Sequence, residues 1–427
     1  MNRVNSNQVS KAPRPAPEIP LSKQMANKQS ADLIQAAKEA KARGEKIAWA
    51  SAVFPQEIPE ALGMVVLYPE SFSAGVAARK KAGPFLEEAE GRLGYSSDIC
   101  SYIRINFAFA ALHDQEGFEE FQFPMPDCLL LCNNSCGQVM KWFENLAEQM
   151  DIPIFFFDAV YNYDEAGIPD YRMRYLTDQL GQLIIDLEQF TGKTLEHKQF
   201  MAVQERSQVN RKLFQEVVEK SLYRPSPATG FDLYNYISVM ITCRGKESTT
   251  QIMTQLRDEM EARHQAGTSS FRGEEQHRTY WSGIACWPYL SHNMRTMKRS
   301  GMNIVASGYV RSWMLEYEPG NLEDMARSYA LSVAANVSVP EYAQRSAAMI
   351  KEYGCDNMVC HNNRSCKISA YNLDCGKHLI LEETGIPCVS FDGDQSDYRV
   401  YSEAQFETRI QGLQEILEGK GESSDVE

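Results

Sequence analysis

Short apolar runs alternate with longer amphipathic stretches over the first third of the chain. Lys46–Phe54 (KIAWASAVF), Met64–Tyr68 (MVVLY), Cys128–Cys132 (CLLLC) and Ile152–Val160 (IPIFFFDAV) read as strands. Between and before them, 23–44, Gln56–Leu62, a helix within Ser71–Leu93, and Gly137–Met150 read as helices, the first closing on Gly44 as a C-cap. Strand and helix in alternation predict a doubly wound parallel sheet. From Asp164 to Arg263 the pattern changes to long helical periodicity, clearest in Tyr171–Phe190, Lys198–Tyr223 and Thr249–His264.

The alternating pattern then returns. Gly283–Tyr289 (GIACWPY), Asn303–Tyr309 (NIVASGY), Asn357–Cys360 (NMVC) and Pro387–Phe391 (PCVSF) are strand candidates whose order mirrors the first set. In each half the third strand runs into Asn-Asn and then a cysteine: Leu130–Gly137 (LLCNNSCG) and Met358–Lys367 (MVCHNNRSCK). Each fourth strand opens on Ile-Pro and ends in an aspartate. The chain therefore reads as a divergent duplication. The expected fold is α/β: two similar Rossmann-like parallel-sheet units with a helical insertion between them. The expected division is an N-terminal arm and helix (1–44, with 1–22 a mobile arm), a first α/β unit (45–163), a helical segment (164–270), a second α/β unit (271–418) and a solvated tail (419–427).

Charge and cysteine usage narrow the function classes. A formal net charge of −14 argues against nucleic acid as a partner, because phosphate binding needs a basic surface. No apolar run is long enough for a membrane span, and the N-terminus lacks the apolar core of a secretory signal. A cytoplasmic protein with no membrane partner is expected. The 11 cysteines are then read as thiols rather than disulfides.

In open parallel sheets ligands collect beyond the carboxyl ends of the strands. Cys136 and Cys366 hold that position in the two halves, and Cys100 opens a predicted helix after Ser97 and Asp98. Tight C-x-x-C pairs are absent, against a zinc ribbon or a ferredoxin site. Two readings of the thiols stay open on pattern alone: small buried hydrophobes, or three ligands of a cluster at a domain junction with one iron left open. Cys128, Cys132 and Cys360 read as strand core, Cys243, Cys286 and Cys388 as buried hydrophobes, Cys375 as helical packing, and Cys355 as an exposed residue before its strand. Glu70 closes a strand as either a solvated helix cap or an acid/base group. His361 is either a turn histidine or a ligand contact. Arg364 and Lys367 are either surface charges or partners for a charged ligand.

At these residues the chain resembles the 2-hydroxyacyl-CoA dehydratase family, which also includes ATP-dependent benzoyl-CoA reductase subunits. The motifs are FPQEI (Phe54–Ile58), LYPE (Leu67–Glu70), DICSYIRINF (Asp98–Phe107), CNNSCGQVMKWFENLA (Cys132–Ala147), SSFRGEE (Ser269–Glu275), CWPY (Cys286–Tyr289), HNNRSCK (His361–Lys367), FDGDQSD (Phe391–Asp397) and QFETRIQGL (Gln405–Leu413). They span nearly the whole chain and are similar to an alpha-type subunit. The resemblance implies that Cys100, Cys136 and Cys366 each bind one iron of a [4Fe–4S] cluster whose fourth iron has no protein ligand. It implies Glu70 as acid/base carboxylate; beside it, the residues themselves offer Ser51, His361 and Arg364 as candidates for cluster or substrate contact. It implies a smaller beta-type subunit with its own iron–sulfur cluster, a separate ATP-dependent iron–sulfur activator protein, and an acyl-CoA substrate. The activity implied is dehydration of a short-chain (R)-2-hydroxyacyl-CoA, lactoyl-CoA to acryloyl-CoA first, through a ketyl radical. The alternatives are a benzoyl-CoA-reductase-type subunit, a non-catalytic electron relay or a metal-free CoA-binding protein. One departure stands out. The family's motif often reads Trp-Ser-Thr-Ser-Val-Phe, whereas this chain has Trp49-Ala-Ser-Ala-Val-Phe54, so Ala52 replaces a serine hydroxyl.

Overall fold

A computed structural model describes residues 19–118, 120–161, 167–331 and 337–424, with no side chains from 420 onward. Eight strands form two separate four-stranded sheets. The first contains β1 (Ile47–Ala50), β2 (Val65–Leu67), β3 (Cys128–Cys132) and β4 (Ile154–Phe157), in the order β2-β1-β3-β4. The second contains β5 (His277–Ser282), β6 (Met302–Ala306), β7 (Asn357–Asn363) and β8 (Cys388–Gly393), in the order β6-β5-β7-β8. Every pairing is parallel, and the two orders are the same permutation of their strands. The expected duplication is therefore a property of the fold.

The CLLLC run of β3 is wholly buried because both of its faces are covered. Cys128, Leu130 and Cys132 face one core; Leu129 and Leu131 face the other. That period of two places Cys128 and Cys132 in a strand, as the sequence suggests. The second core is rich in aromatic rings, with Trp49 against Phe123 at 5.1 Å and Phe72 against Phe109 at 4.6 Å.

The repeat also extends to side chains beyond the strands. Asn133 Nδ2 donates to Asp158 Oδ1 at 2.6 Å, and Asn362 Nδ2 donates to Asp392 Oδ1 at 2.7 Å. The first asparagine of each Asn-Asn pair thus ties the third strand of its sheet to the aspartate ending the fourth.

Between the sheets lie helices Asp170–Thr191, His197–Glu219, Gly230–Thr242 and Glu247–Gln265, as the periodicity predicts apart from Gly230–Thr242, which it missed. Buried Arg278 of β5 joins this segment to the second sheet. Its guanidinium donates to the carbonyls of Ser221, Tyr223 and Tyr353 and pairs with Glu275 at 2.6 Å. The N-terminal helix, Leu21–Ala42, is docked on the same segment: Ser22 Oγ donates to Glu259 at 2.6 Å, and Gln29 Nε2 donates to Thr249 Oγ1 at 3.0 Å.

Several expectations are corrected. GIACWPY is not a strand; the strand precedes it as His277–Ser282, and Gly283 turns the chain away at φ +100°. A Cβ on Gly283 would stand 2.8 Å from the His361 carbonyl oxygen, so only glycine fits this exit. Ser71–Leu93 holds two helices, Pro69–Ala78 and Gly83–Gly91, with Lys80 at φ +59° in the break, so the Arg79-Lys80-Lys81 cluster lies in a turn. Cys355 is buried and Cys375 exposed, the reverse of expectation. The last helix, Glu403–Ser424, runs through most of the predicted tail. Residues 1–18 of the predicted arm lie outside the described residues. Among those described, no helix is long and apolar enough to cross a membrane.

Candidate active site

The strand order of each sheet reverses between its first and third strands, β1 and β3 in one half and β5 and β7 in the other. Crevices open beyond the carboxyl ends at such points. Here the two crevices share one cavity of 1130 Å³. Pockets for single small ligands run to about 1,000 Å³, so this one has room for a substrate beside a cofactor. Ala52 and Val53 after β1, Glu70 after β2 and Cys136 after β3 reach it from one side. Gly283 after β5, Tyr309 after β6 and Cys366 after β7 reach it from the other. Cys100 completes the thiol set. The N-terminal helix and the Gly230–Thr242 helix close the walls.

All three thiols stand at helix starts. Cys100 is the N-cap of Ser101–Leu112, Cys366 is the N-cap of Lys367–Thr384, and Cys136 precedes the Gly137 cap of Gln138–Met150. Cys100 itself takes the cap position expected of Ser97 or Asp98. Helix N-termini favour thiolate, and the backbone amides of Val139 and Gln138 lower the Cys136 pKa in that way. Burial outweighs this and raises all three. The Cys366 thiol is pushed up to about 12 by burial and then by Cys136. Cys100 is raised by burial and then by Cys366 and Cys136. Three thiols in one cavity form a donor set suited to a cationic iron–sulfur core, which would take all three as thiolates. Among the described residues no three His, Cys, Asp or Glu side chains converge on a single metal ion.

Cys100 and Cys366 are fixed from behind by Asp394, which is buried. Its carboxylate accepts from Ser101 Oγ at 2.5 Å, Ser365 N at 3.1 Å, Ser396 N at 2.9 Å, Asp397 N at 2.9 Å and also Ser365 Oγ. Ser101 N donates to Ser365 Oγ at 3.0 Å. The residue after Cys100 is thereby bound to the residue before Cys366. Gln395 Nε2 donates to Cys100 Sγ at 3.1 Å. Asp394→Ala leaves several buried donors unpaired and should cost about 3–5 kcal/mol, read as a lower urea midpoint.

Glu70 is the second residue of the Pro69–Ala78 helix. Its Oε1 accepts from the Ala52 amide at 3.0 Å, while its buried Oε2 has no partner among the described residues. Burial raises the carboxyl to about 7, against the lowering effect of the Ala52 and Glu70 amides. Glu70 lies in the first turn of its helix, and its carboxyl is held near neutrality.

The other three candidates do not line the cavity among the described residues. Ser51 is buried in the β1–β3 ladder: its Oγ accepts from Cys132 N at 2.9 Å. His361 is buried against Phe391 with Nδ1 2.6 Å from the Ile284 carbonyl, and burial lowers its pKa. Arg364 is exposed and 3.6 Å from Asp392. Sequence reasoning passed over Tyr309, Tyr102 and Gln395 as site residues, although the NIVASGY, DICSYIRINF and FDGDQSD segments contain them.

Residues 51–417 match the family described as 2-hydroxyglutaryl-CoA dehydratase, D-component. The chain belongs to this family. It is 40% identical to the (R)-2-hydroxyisocaproyl-CoA dehydratase alpha subunit of Clostridioides difficile, over 89% of this chain and 92% of that one. It is 39% identical to the (R)-phenyllactyl-CoA dehydratase alpha subunit of Clostridium sporogenes, over 90% and 93%. It is 35% identical to the lactoyl-CoA dehydratase subunit alpha of Anaerotignum propionicum, again over 90% and 93%. Membership places the chain among dehydratases, a hydro-lyase class, and these relatives are each named as the alpha subunit of their enzyme.

Proposed function

We propose that this chain is the catalytic, alpha-type subunit of an (R)-2-hydroxyacyl-CoA dehydratase. The observation that carries this reading is the meeting of Cys100, Cys136, Cys366 and Glu70 on one cavity between the two sheets. The three cysteines would hold a [4Fe–4S] cluster with one iron free of protein thiolate. When bound, such a cluster supplies one-electron chemistry and a Lewis-acid site for a thioester carbonyl.

The chain's own residues supply the proton chemistry. Loss of the 2-hydroxyl needs a proton for the departing oxygen, and formation of the alkene needs removal of a β-proton. Glu70 serves both: its unpartnered Oε2 gives up a proton and later takes one back, while the Ala52 amide holds Oε1. A group that starts and ends protonated loses activity as pH rises through its pKa, here about 7.

Ala52, Val53, Ile241 and Trp313 give the cavity an apolar wall, which supports an apolar acyl group. Lactoyl-CoA is the smallest such substrate; isocaproyl and phenyllactyl thioesters are larger. A smaller beta-type subunit and an ATP-hydrolysing iron–sulfur activator complete the proposed enzyme.

The test is an anaerobic assay of the reconstituted subunits plus activator on (R)-2-hydroxyacyl-CoA esters carrying lactoyl, isocaproyl, phenyllactyl and glutaryl groups. The apolar esters should turn over at least about tenfold faster in kcat/KM than the glutaryl ester. No turnover of any ester at full iron loading would sink the proposal.

A further inference from the structure

The duplication makes an assignment for the second half. β2 and β6 occupy equivalent places, each beside the first strand of its sheet at the edge. Each is followed by a helix start. After β2, Tyr68 is the N-cap and Glu70 the second residue of Pro69–Ala78; after β6, Ser307 is the N-cap and Tyr309 the second residue of Gly308–Arg311. Tyr309 is thus the counterpart of Glu70, just as Cys366 is the counterpart of Cys136. Both members of both pairs line the cavity.

Tyr309 also differs from the other tyrosines there. The hydroxyl of Tyr102 accepts from Trp287 at 2.5 Å, that of Tyr280 donates to Ser346 at 3.1 Å, and that of Tyr342 meets Ser282 at 2.9 Å. Those of Tyr68 and Tyr234 are sealed from the cavity space. The Tyr309 hydroxyl is open to the cavity and has no hydrogen-bond partner among the described residues. Cys366 and Glu70 line the same cavity. The Tyr309 ring packs edge-on with Trp313 at 6.0 Å and tilted against Tyr234 at 6.0 Å.

We propose that Tyr309 is a catalytic residue whose phenolic O–H donates a hydrogen bond to the 2-hydroxyl oxygen of the bound thioester, across the cavity from Glu70. This rests on the dehydratase reading above. As the C2–O bond breaks, the oxygen keeps the bonding pair, takes a proton from Glu70 and leaves as water. Tyr309 retains its own proton throughout, and the β-proton returns to Glu70. The net change is loss of water with no net oxidation. A neutral phenol suits this role because it remains a donor across the working pH range.

Tyr309→Phe removes one oxygen and leaves the ring packing intact. In the reconstituted enzyme it should keep its iron content and lower kcat about 10- to 100-fold, with KM changed less. Without activator, the wild-type subunit complex should bind (R)-2-hydroxyisocaproyl-CoA about tenfold more tightly than isocaproyl-CoA, and Y309F should bind the two alike. Turnover within twofold of wild type with the preference retained, or loss of iron from Y309F, would overturn the assignment. Absence of wild-type turnover overturns the dehydratase reading itself, a result separate from an active wild type with an unaffected Y309F.

Discussion

Cys136→Ser, Cys100→Ser and Cys366→Ser should each strip iron from the purified protein and lower dehydratase activity by about 10³-fold or more. Each thiol lies partly open to the cavity, unlike the buried Cys128, Cys132, Cys243 and Cys360. The substitutions therefore remove a ligand without opening a hole in the core, and the urea midpoint of the iron-free protein should shift little. Cys375→Ser, on the exposed face of the Lys367–Thr384 helix, is the control and should retain both iron and activity. Iron analysis, visible absorption and anaerobic turnover check the set. Full iron content in all three variants would remove the chemical basis of the site.

Glu70→Gln should keep the iron and lower kcat about 10²- to 10⁴-fold. The amide still fits the Ala52 N–H through its carbonyl oxygen but cannot exchange a proton. The wild-type rate should fall as pH rises through about 7, and that inflection should vanish in E70Q. Stability gives a second readout. The folded carboxyl titrates above its unfolded value of 4.5, so the folded state binds more protons between the two. Its contribution to stability is fully present below 4.5 and is lost as pH rises through about 7. E70Q has no such loss and should be about 1–3 kcal/mol more stable than wild type at pH 8. An E70Q enzyme of wild-type activity would exclude Glu70 from proton transfer.

Much of this was legible because buried parallel strands leave continuous apolar runs. CLLLC and MVVLY announce themselves, and the two Asn-Asn-to-cysteine turns expose the duplication. The missed strand shows the limit. His277–Ser282 carries Arg278 and Thr279; its arginine pairs with nearby Glu275 but also donates to the carbonyls of Ser221 and Tyr353, and those distant acceptors lie in no local window. Ser51 and Arg364 sit within a few residues of site residues, yet strand alternation turns one into the ladder and a surface aspartate holds the other. Tyr309 stayed hidden for a related reason. Its equivalence to Glu70 lies in the position after an edge strand, not in residue type.

The bond between Ser101 and Ser365 spans 264 residues, and that between Ser101 and Asp394 spans 293. Contacts so distant along the chain close large loops of the fold, and they are expected to form only after the local helices and strands are in place. On the ribosome, Cys100 and Cys136 emerge long before Cys366, with the whole helical segment still to come. A group needing all three thiols finds no complete site on a partly made chain. If the proposed cluster is bound by all three thiols, its loading would follow synthesis and folding of both halves.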